Sequence, residues 1–381
     1  MISPERHSAQ TAKPPPMNFA FVGPPRAATG RSVAVIGAGP SGLAASGYLA
    51  ARGYVVHIYD KLPKAGGLMT FGIPGSRIPA QRIDDAVKTL VENYGVTLHM
   101  RTKICGADPL CETGDDYADR LESLGSLVED HDAVLVCTGA WKSRPLDIPG
   151  NDLPGIYSSL EFLFPIRACE YDTGKINPMN VEDSNVVVIG AGHSAMDVAH
   201  ESIRRGAANV YVLYRRTRDE APCGVLEIES LEDAGGIWLE CVEPLAFTGE
   251  DYLLGLRCRR SMMGSPDISG RRRPVPLPNS EFFQRADIVV TAVGEIPTPP
   301  FAHELGLDKV RRGGAHWLQM TAMPGVFVAG DVLIRPSKIG KATYSGLRAA
   351  RSLHNWLELE FLGRQHEYDY AGDLISPLAL A

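Results

Sequence analysis

Two glycine-rich turns have the residue types and the spacing that bind the phosphates of a dinucleotide. The first turn runs Gly37-Ala38-Gly39-Pro40-Ser41-Gly42, and the second runs Gly190-Ala191-Gly192-His193-Ser194-Ala195. In this pattern the first glycine turns the chain after a strand, the second lets a pyrophosphate approach bare backbone, and the third lets the helix pack closely on the strand. The alanine that ends the second turn is tolerated in this pattern. The phosphates lie at a helix N-terminus, where N–H groups and the helix dipole favour anions. We therefore expect two dinucleotide sites.

The residues at the end of the next strand distinguish the two sites. Asp60 stands 18 residues after Gly42, and its carboxylate can accept hydrogen bonds from a ribose diol. In the second unit the strand ends at Tyr214 and is followed by Arg215 and Arg216, whose guanidinium groups suit a 2′-phosphate. This favours NADP(H) over NAD(H). The alternative is that these arginines form a solvated run of charge, in which case NADH would serve equally.

Alternation of apolar runs with turn residues predicts the elements that position both turns. Buried parallel strands are predicted over 32–36, 54–59, 133–137, 186–189, 210–214, 288–293 and 326–329, with a helix after each glycine turn and another over about 341–357. Residues 241–285 are typical of a hairpin with a loose loop. The predicted fold class is α/β, with two Rossmann-like dinucleotide-binding domains. One domain is discontinuous, 31–147 with 294–381, and the other, 148–293, is inserted in it.

Composition disfavours several other classes of protein. The 381 residues carry a formal net charge of −7, so no basic surplus indicates nucleic acid or anionic lipid as a partner. No apolar run reaches the about 18 residues of a membrane span, and the N-terminus lacks a signal-peptide pattern. The seven cysteines form no CxxC pair, which indicates neither a disulfide framework nor a metal site and fits a cytoplasmic protein. The proline-rich residues 1–30 are either a disordered tail or an arm that orders against a partner subunit.

Four further stretches, taken in order, resemble the small (beta) subunit of glutamate synthase and its relatives. They are AGGLMTFGIPGSRIP (Ala65–Pro79), VCTGAW (Val136–Trp141), ADIVVTAVGEIPT (Ala286–Thr298) and MPGVFVAGDVLIRPSKIGKATYSGLRAA (Met323–Ala350). The resemblance covers residues 31 to about 360. It implies a two-dinucleotide-binding flavoprotein that binds FAD in the discontinuous domain and NAD(P)H in the inserted one.

The same resemblance implies which residues hold each cofactor. For FAD they are Gly37, Gly39, Pro40, Ser41, Gly42, Asp60, Lys61, Gly67, Leu68, Arg77, Thr138, Gly139, Gly330, Asp331, Lys341, Ala342 and Thr343. For NAD(P) they are Gly190, Gly192, His193, Ser194, Ala195, Arg215, Arg216 and Gly294. The helix that opens near Lys341 would point its N-terminus at the N1/O2 edge of the flavin, where its dipole stabilises the reduced anion.

Three of the singled-out side chains have a structural alternative. Asp331 would bind the ribityl chain or the pyrophosphate, or it is a turn acid. His193 would touch the nicotinamide nucleotide, or it simply begins a helix. Cys223 has no second cysteine beside it, so it cannot form a redox dithiol, and we expect an inert role for it.

The expected reaction is hydride transfer between nicotinamide C4 and flavin N5. This step requires position rather than acid–base help, so we expect neither a catalytic side chain nor a metal. Members of the resembled family carry a cysteine-rich N-terminal segment for iron–sulfur clusters, whereas no cysteine precedes Cys105 here. We therefore expect an iron–sulfur protein or a larger oxidoreductase subunit as partner, in a complex of the glutamate synthase, ferredoxin–NAD(P) or aldehyde oxidoreductase type.

Two alternatives to the partner hypothesis remain. One is a self-contained NAD(P)H-dependent flavin reductase or dehydrogenase with a small-molecule acceptor. The other is FAD as a non-catalytic structural element, which the intact second glycine turn disfavours.

Overall fold

The computed structural model describes residues 17–20, 23–105, 112–171, 176–266, 270–297, 305, 318–332 and 338–361. The predicted arm over residues 1–30 therefore lies largely outside the described residues. Within the described ranges, no helix is both long enough and apolar enough to cross a membrane.

Seventeen strands and eight α-helices make up the described fold. The strands are β1 (Ser32–Ile36), β2 (Val55–Tyr59), β3 (Thr97–His99), β4 (Thr102–Cys105), β5 (Arg120–Ser123), β6 (Ala133–Val136), β7 (Lys142–Ser143), β8 (Ile156–Ser158), β9 (Asn185–Ile189), β10 (Asn209–Tyr214), β11 (Ile237–Glu240), β12 (Val242–Gly249), β13 (Leu253–Pro266), β14 (Arg272–Arg285), β15 (Ile288–Thr291), β16 (Glu295–Ile296) and β17 (Val326–Val328). The helices are α1 (Pro40–Ala51), α2 (Leu68–Phe71), α3 (Ala80–Tyr94), α4 (Leu124–Asp130), α5 (Ser159–Ala168), α6 (His193–Arg204), α7 (Val225–Asp233) and α8 (Ile339–Phe361).

The first five-stranded sheet, called sheet I, has the order β17-β6-β1-β2-β3, and all its strands are parallel. Residues Val33–Ile36 of β1 are buried on both faces, which is why this run is apolar, while Ser32 at its start is half-buried. Val33 and Val35 contribute to the core cluster formed with α1, α3 and α8, whereas Ala34 and Ile36 contribute to the cluster that includes α4. Strand β17 comes from the C-terminal part of the chain, so sheet I is assembled from two separate stretches.

The second five-stranded sheet, called sheet II, has the order β11-β10-β9-β15-β8 and is also parallel. Its strands share one core cluster with α5, α6 and α7, and a second cluster with the antiparallel sheet β12-β13-β14. The predicted hairpin is therefore one part of a three-stranded sheet, because β12 pairs with β13 beside it. The two parallel sheets confirm the predicted fold class; the domain boundaries remain predictions.

An aromatic cluster joins the two halves of the molecule. Leu62, Phe71 and Trp141 come from the sheet I half and pack with Leu160 and Phe164 of α5. The short helix α2 supplies Phe71, and the glycine- and proline-rich composition of 63–79 gave no sign of this helix. The two chain crossings also pair with each other, since β7 and β16 form a small antiparallel ladder. These contacts fix the sheets relative to one another.

Candidate functional site

The first glycine turn has the geometry that each glycine predicts. A Cβ on Gly37 would lie 2.4 Å from the Cys137 carbonyl oxygen, and one on Gly42 would lie 2.0 Å from the Gly37 carbonyl oxygen. A Cβ on Gly39 would meet nothing within 4 Å among the described residues. The outer two glycines therefore allow tight backbone packing, while the middle one faces open space. Since α1 begins at Pro40 with no side-chain cap, the helix N-terminus opens onto that space.

Two of the sequence-predicted segments lie against this turn. A Cβ on Gly67 would approach the Gly39 Cα to 2.9 Å, and one on Gly330 would approach the Ser41 Cβ to 2.9 Å. The structure thus brings the loop 65–79 and the Gly330–Asp331 segment to one place. Leu68, the first residue of α2, follows directly from Gly67.

Helix α8 also packs on the turn, through a residue that sequence reasoning missed. A Cβ on Gly346 would lie 2.1 Å from the Ser41 carbonyl oxygen, so only glycine allows this close crossing of α8 over α1. A glycine in the interior of a predicted helix was the available signal. The hydroxyl oxygen of the preceding residue, Ser345, accepts a hydrogen bond from the Gly330 N–H at 2.9 Å. The helix begins at Ile339, two residues before the predicted start. Lys341 is exposed, Ala342 buried and Thr343 half-buried.

Thr138 carries a buried hydroxyl beside the first turn. Its Oγ1 has no hydrogen-bond partner among the described residues, and its Cα would lie 3.2 Å from a Cβ on Gly37. The Trp141 indole N–H donates to the Thr138 carbonyl oxygen at 2.7 Å and fixes the backbone there. Gly139 follows with a φ of 77°. An unpaired buried hydroxyl and a turn open at Gly39 together fit FAD, whose polar groups can supply the missing hydrogen bond.

We expect Thr138→Val to act in opposite directions on the two states of the chain. Without FAD, removal of an unpaired buried hydroxyl should raise the free energy of unfolding by up to about 1 kcal/mol. With FAD, loss of the hydrogen bond should weaken binding by about 1 kcal/mol. Thermal unfolding of FAD-free protein and an FAD-binding isotherm measure the two effects. Thr138→Ser, which keeps the hydroxyl, should retain FAD affinity; equal FAD binding by Thr138→Val would contradict the assignment.

Asp60 and Lys61 are already engaged by protein groups. The Asp60 carboxylate accepts hydrogen bonds from the Ala38 N–H at 2.6 Å and the Leu62 N–H at 2.8 Å. Burial raises the pKa of this carboxyl. Each oxygen keeps further acceptor capacity, so a ribose contact of Asp60 stays a prediction. Lys61 binds carboxylates of the same half, from Glu112 and Asp115, and its ammonium lies 4.5 Å from the Trp141 ring centroid. Lys61 therefore belongs to an ion-pair cluster, and an FAD contact of Lys61 stays a prediction.

The second glycine turn repeats the geometry of the first. A Cβ on Gly190 would lie 2.3 Å from the Ala292 carbonyl oxygen, whereas one on Gly192 meets nothing within 4 Å among the described residues. Ala195 takes the third position and is fully buried. The exposed His193 begins α6 and Ser194 follows it, half-buried. Gly294, with a φ of 102°, also faces open space where the chain leaves sheet II.

The two arginines after β10 differ in their surroundings. Arg215 is exposed at the end of the strand. Arg216 is buried, and its Nε donates to the Arg272 carbonyl oxygen at 3.1 Å, which ties β10 to β14. The structure therefore leaves Arg215 as the better candidate for a 2′-phosphate contact, and gives Arg216 a structural contact that the sequence did not predict.

Arg77 joins the two halves of the molecule. Its Nη1 and Nη2 donate to the Glu227 carboxylate of α7 at 2.8 and 2.6 Å, and its Nε donates to Asp197 of α6. Burial raises the pKa of Asp197 to about 6, although Arg77 opposes this, and the hydrogen bonds from Arg77 lower the pKa of Glu227. A cavity of about 310 Å³ lies beside the three side chains. A flavin contact of Arg77 stays a prediction, but this interdomain pairing is the role that the structure gives it.

The cysteines do not form a redox pair among the described residues. Cys105, Cys137, Cys169, Cys223, Cys241 and Cys258 are all free, and no cluster of described residues could hold a metal ion. Cys223 is buried, its backbone N–H donates to the Ala191 carbonyl oxygen, and burial raises the pKa of its thiol. Burial raises the pKa of Cys137, beside Ser41, to about 12. Both thiols therefore stay protonated at neutral pH and are poor nucleophiles.

Comparisons with known proteins agree with this geometry. Residues 31–346 match the family described as pyridine nucleotide-disulphide oxidoreductase. The chain is 35% identical over 338 residues to the beta subunit of an NADP(+)-dependent formate dehydrogenase from Moorella thermoacetica, covering 86% of this chain and 44% of that protein. It is 37% identical to the glutamate synthase (NADPH) small chain of Azospirillum brasilense, covering 85% and 66%. A putative glutamate synthase (NADPH) small chain from Cereibacter sphaeroides is 32% identical, with 88% and 79% covered. The chain thus spans between about half and four-fifths of these relatives' lengths.

Solved structures share the fold at lower sequence identity. FprA from Mycobacterium tuberculosis in complex with NADPH superposes with a TM-score of 0.69 at 19% identity, covering 90% of this chain and 88% of that one. Lactococcus lactis thioredoxin reductase superposes with a TM-score of 0.56 at 18% identity, covering 86% and 99%. At these identities the likeness supports the two-dinucleotide fold alone.

Proposed function

The chain belongs to the pyridine nucleotide-disulphide oxidoreductase family, and we propose that it is an FAD-dependent NAD(P)H oxidoreductase that works as an electron-transfer subunit. In this proposal it moves hydride between NAD(P)(H) and FAD, and it passes single electrons to or from an iron–sulfur partner. The observation that carries the proposal is the pair of glycine turns, each open at its middle glycine, in one chain.

The first site would bind FAD mainly through backbone groups and the N-terminal ends of helices. The open Gly39 and the N-terminus of α1 would take the pyrophosphate, and the Thr138 hydroxyl would hydrogen-bond to the cofactor. Gly67 and Gly330 would let backbone approach closely, and α8 would direct its positive end toward the flavin. When bound, FAD accepts a hydride and releases electrons one at a time. The chain supplies position, electrostatics and exclusion of water.

The second site would deliver the nucleotide, and the interdomain contacts would set its distance from the flavin. Hydride transfer requires reacting atoms about 3–3.5 Å apart, so the relative position of the two halves controls the rate. The aromatic cluster around Trp141 and Phe164 and the Arg77 ion pairs hold that position. Gly294 lies where the chain passes from β15 to β16, at the junction of the halves.

The partner is proposed from the relatives. The proteins similar to this chain are named as a beta subunit or as small chains, so they work within complexes. We propose the same arrangement here, with an iron–sulfur subunit and a cytoplasmic location, where NADPH and reduced thiols coexist.

The proposal is tested by anaerobic titration of the purified FAD-loaded chain with NADPH and then NADH. Loss of the visible flavin absorbance would show that both sites are filled and coupled. A chain that never takes up FAD, or a yellow chain that neither nucleotide bleaches, would contradict it. Rapid turnover with a small acceptor and no partner would instead favour a self-contained reductase.

The arginine pair after β10 gives a prediction on nucleotide choice. We expect Arg215→Ala to weaken NADPH binding by about 1.5–3 kcal/mol, the range for a hydrogen bond to a charged group, and to leave NADH binding unchanged. Arg216→Ala is the matched control: it should lower the melting temperature, because the partly buried hydrogen bond to the Arg272 carbonyl is lost, and change nucleotide preference less. Two fluorescence titrations and one thermal scan per variant measure this. Equal losses for NADPH and NADH in Arg215→Ala would exclude the phosphate contact.

A further inference from the structure

Exposed apolar side chains are concentrated on one part of the molecule. Twelve large apolar side chains are exposed among the described residues, and six of them lie between residues 252 and 283. These six are Tyr252, Leu254, Met262, Val275, Leu277 and Phe283. All belong to strands β13 and β14 or to the turn that precedes them. Because isolated exposed apolar residues are normal but clusters are not, this hairpin differs from the rest of the surface.

The same hairpin is strongly basic in an acidic chain. Residues 253–285 contain seven arginines, no lysine and two acidic residues, a net charge of +5 against −7 for the whole chain. Two of the arginines bind carboxylates outside the hairpin, Arg259 with Glu243 and Arg272 with Glu220. The Nε atom of the exposed Arg257 lies 3.9 Å from the Glu281 carboxylate. Arg285, the last residue of β14, is also exposed. The hairpin therefore presents positive charge to solvent.

The register places charge and apolar area side by side. Opposite residues of an antiparallel pair share a face, so Arg257 lies beside Phe283 and Gly255 beside Arg285. The Phe283 ring lies across Gly255, since a Cβ there would be 2.6 Å from the ring Cζ, yet the residue remains 55% exposed. The opposite face, with Leu256 and Cys258, is buried against sheet II.

The β14 edge of this sheet is blocked against strand addition. Strand β14 is one of the two edge strands, with β12 at the other edge, and it has proline at positions 274, 276 and 278. Proline has no N–H, and prolines on an edge strand prevent pairing with another chain. A partner that meets the hairpin at β14 would therefore dock through side chains rather than by strand addition. Arginine, methionine and aromatic residues are the types enriched at protein interfaces.

We propose that the solvent face of the β13–β14 hairpin is the docking surface for an acidic partner protein. The inference rests on the proposed function and names the surface by which such a partner would be held. Charge complementarity favours a small acidic protein, which would meet only the basic hairpin. An anionic bilayer or a long nucleic acid would also approach the rest of the chain, whose net charge is −12 once the hairpin's +5 is removed.

The test measures binding of an acidic plant-type two-iron ferredoxin to the full FAD-loaded chain by biolayer interferometry, at low salt and at about 0.15 M salt. Arg285→Glu should raise Kd about tenfold at low salt, and Phe283→Ser should raise it by a similar factor that salt does not abolish. Lys88→Glu is the matched control, because it makes the same charge change on α3, where the Lys88 side chain is 67% exposed. It should alter Kd less than twofold.

The outcomes separate this inference from the proposed function. Loss of flavin absorbance on addition of NADPH to the same preparations tests the proposed function alone, because neither Arg285 nor Phe283 belongs to the nucleotide sites. Intact bleaching without ferredoxin binding, or equal losses in Arg285→Glu and Lys88→Glu, would overturn the docking surface only. Binding to phosphatidylserine vesicles or to poly(dT) that Arg285→Glu removes would also overturn it and assign the hairpin to that ligand.

Discussion

The Gly192→Asp variant is expected to fold, to keep bound FAD and to lose flavin reduction by NADPH. Gly192 is the N-cap of α6 with extended backbone, φ −88° and ψ 175°, which any residue can adopt. A Cβ there meets nothing within 4 Å among the described residues, and Asp is a preferred N-cap residue. The new carboxylate would occupy the space of the phosphates and repel them, so Kd for NADPH should rise at least about 100-fold, roughly 2.7 kcal/mol. Anaerobic titration, with a thermal scan as the folding check, measures both effects.

The matched variant Gly39→Asp should show the complementary pattern. Gly39 is the N-cap of α1 with φ −74° and ψ −178°, and it faces open space in the same way. The chain should fold but be isolated colourless, and it should still bind NADPH in the second site. Gly23→Asp, at another open glycine away from both turns, controls for the added charge. A yellow Gly39→Asp protein would place FAD elsewhere, and a colourless Gly192→Asp protein would mean that the two turns are assigned the wrong way round.

The fold could be predicted from the sequence where local sterics dictate the residue type. The contacts of a Cβ on Gly37, Gly42 and Gly190 show why these three positions accept only glycine, so the pattern identifies a strand, a turn and a helix together. Apolar runs such as Val33–Ile36 identify buried parallel strands for the same reason: both faces are covered. These signals are short in range, and they sufficed for the α/β class and for both dinucleotide turns.

What the sequence could not give are partners that lie far apart in the chain. Arg77 was predicted to lie near the flavin, yet its carboxylate partners lie 120 and 150 residues away on α6 and α7. Arg216 was paired with a phosphate by position alone, while its hydrogen-bond partner is the carbonyl of Arg272, 56 residues on. The strand β12 was missed because pairing, rather than its own composition, defines it. Spacing along the chain carries no information about such contacts.

Arg77→Ala is expected to loosen the junction of the two halves and to slow flavin reduction. The side chain of Asp197 is only 7% exposed, so without Arg77 a buried carboxylate would remain unpaired beside Glu227. Removal of one partner from a buried ion pair lowers the free energy of unfolding by about 3–5 kcal/mol, and loss of a surface pair lowers it by at most about 1 kcal/mol. Because the Arg77 side chain is 32% exposed, we expect a loss of about 2 kcal/mol. Stopped-flow bleaching by NADPH should slow at least about tenfold, because the nicotinamide–flavin distance is no longer fixed. Lys88→Ala, which removes a solvent-exposed pair within α3 only, should change neither the stability nor the rate of flavin reduction.

The pH dependence of this variant separates a lost ion pair from lost packing. The pKa of Asp197 is raised from its usual value to about 6 by burial, and removal of Arg77 should raise it further. A raised native pKa means that the folded chain binds the proton more tightly than the unfolded chain. The loss of stability caused by Arg77→Ala should therefore be full at pH values above the pKa that Asp197 has in the variant. It should shrink as the pH falls below that pKa, because a protonated Asp197 needs no counter-charge. Asp197→Asn combined with Arg77→Ala should show the same smaller loss of stability already at neutral pH. A penalty that is the same at pH values on both sides of the Asp197 pKa would mean that Arg77 acts by packing alone.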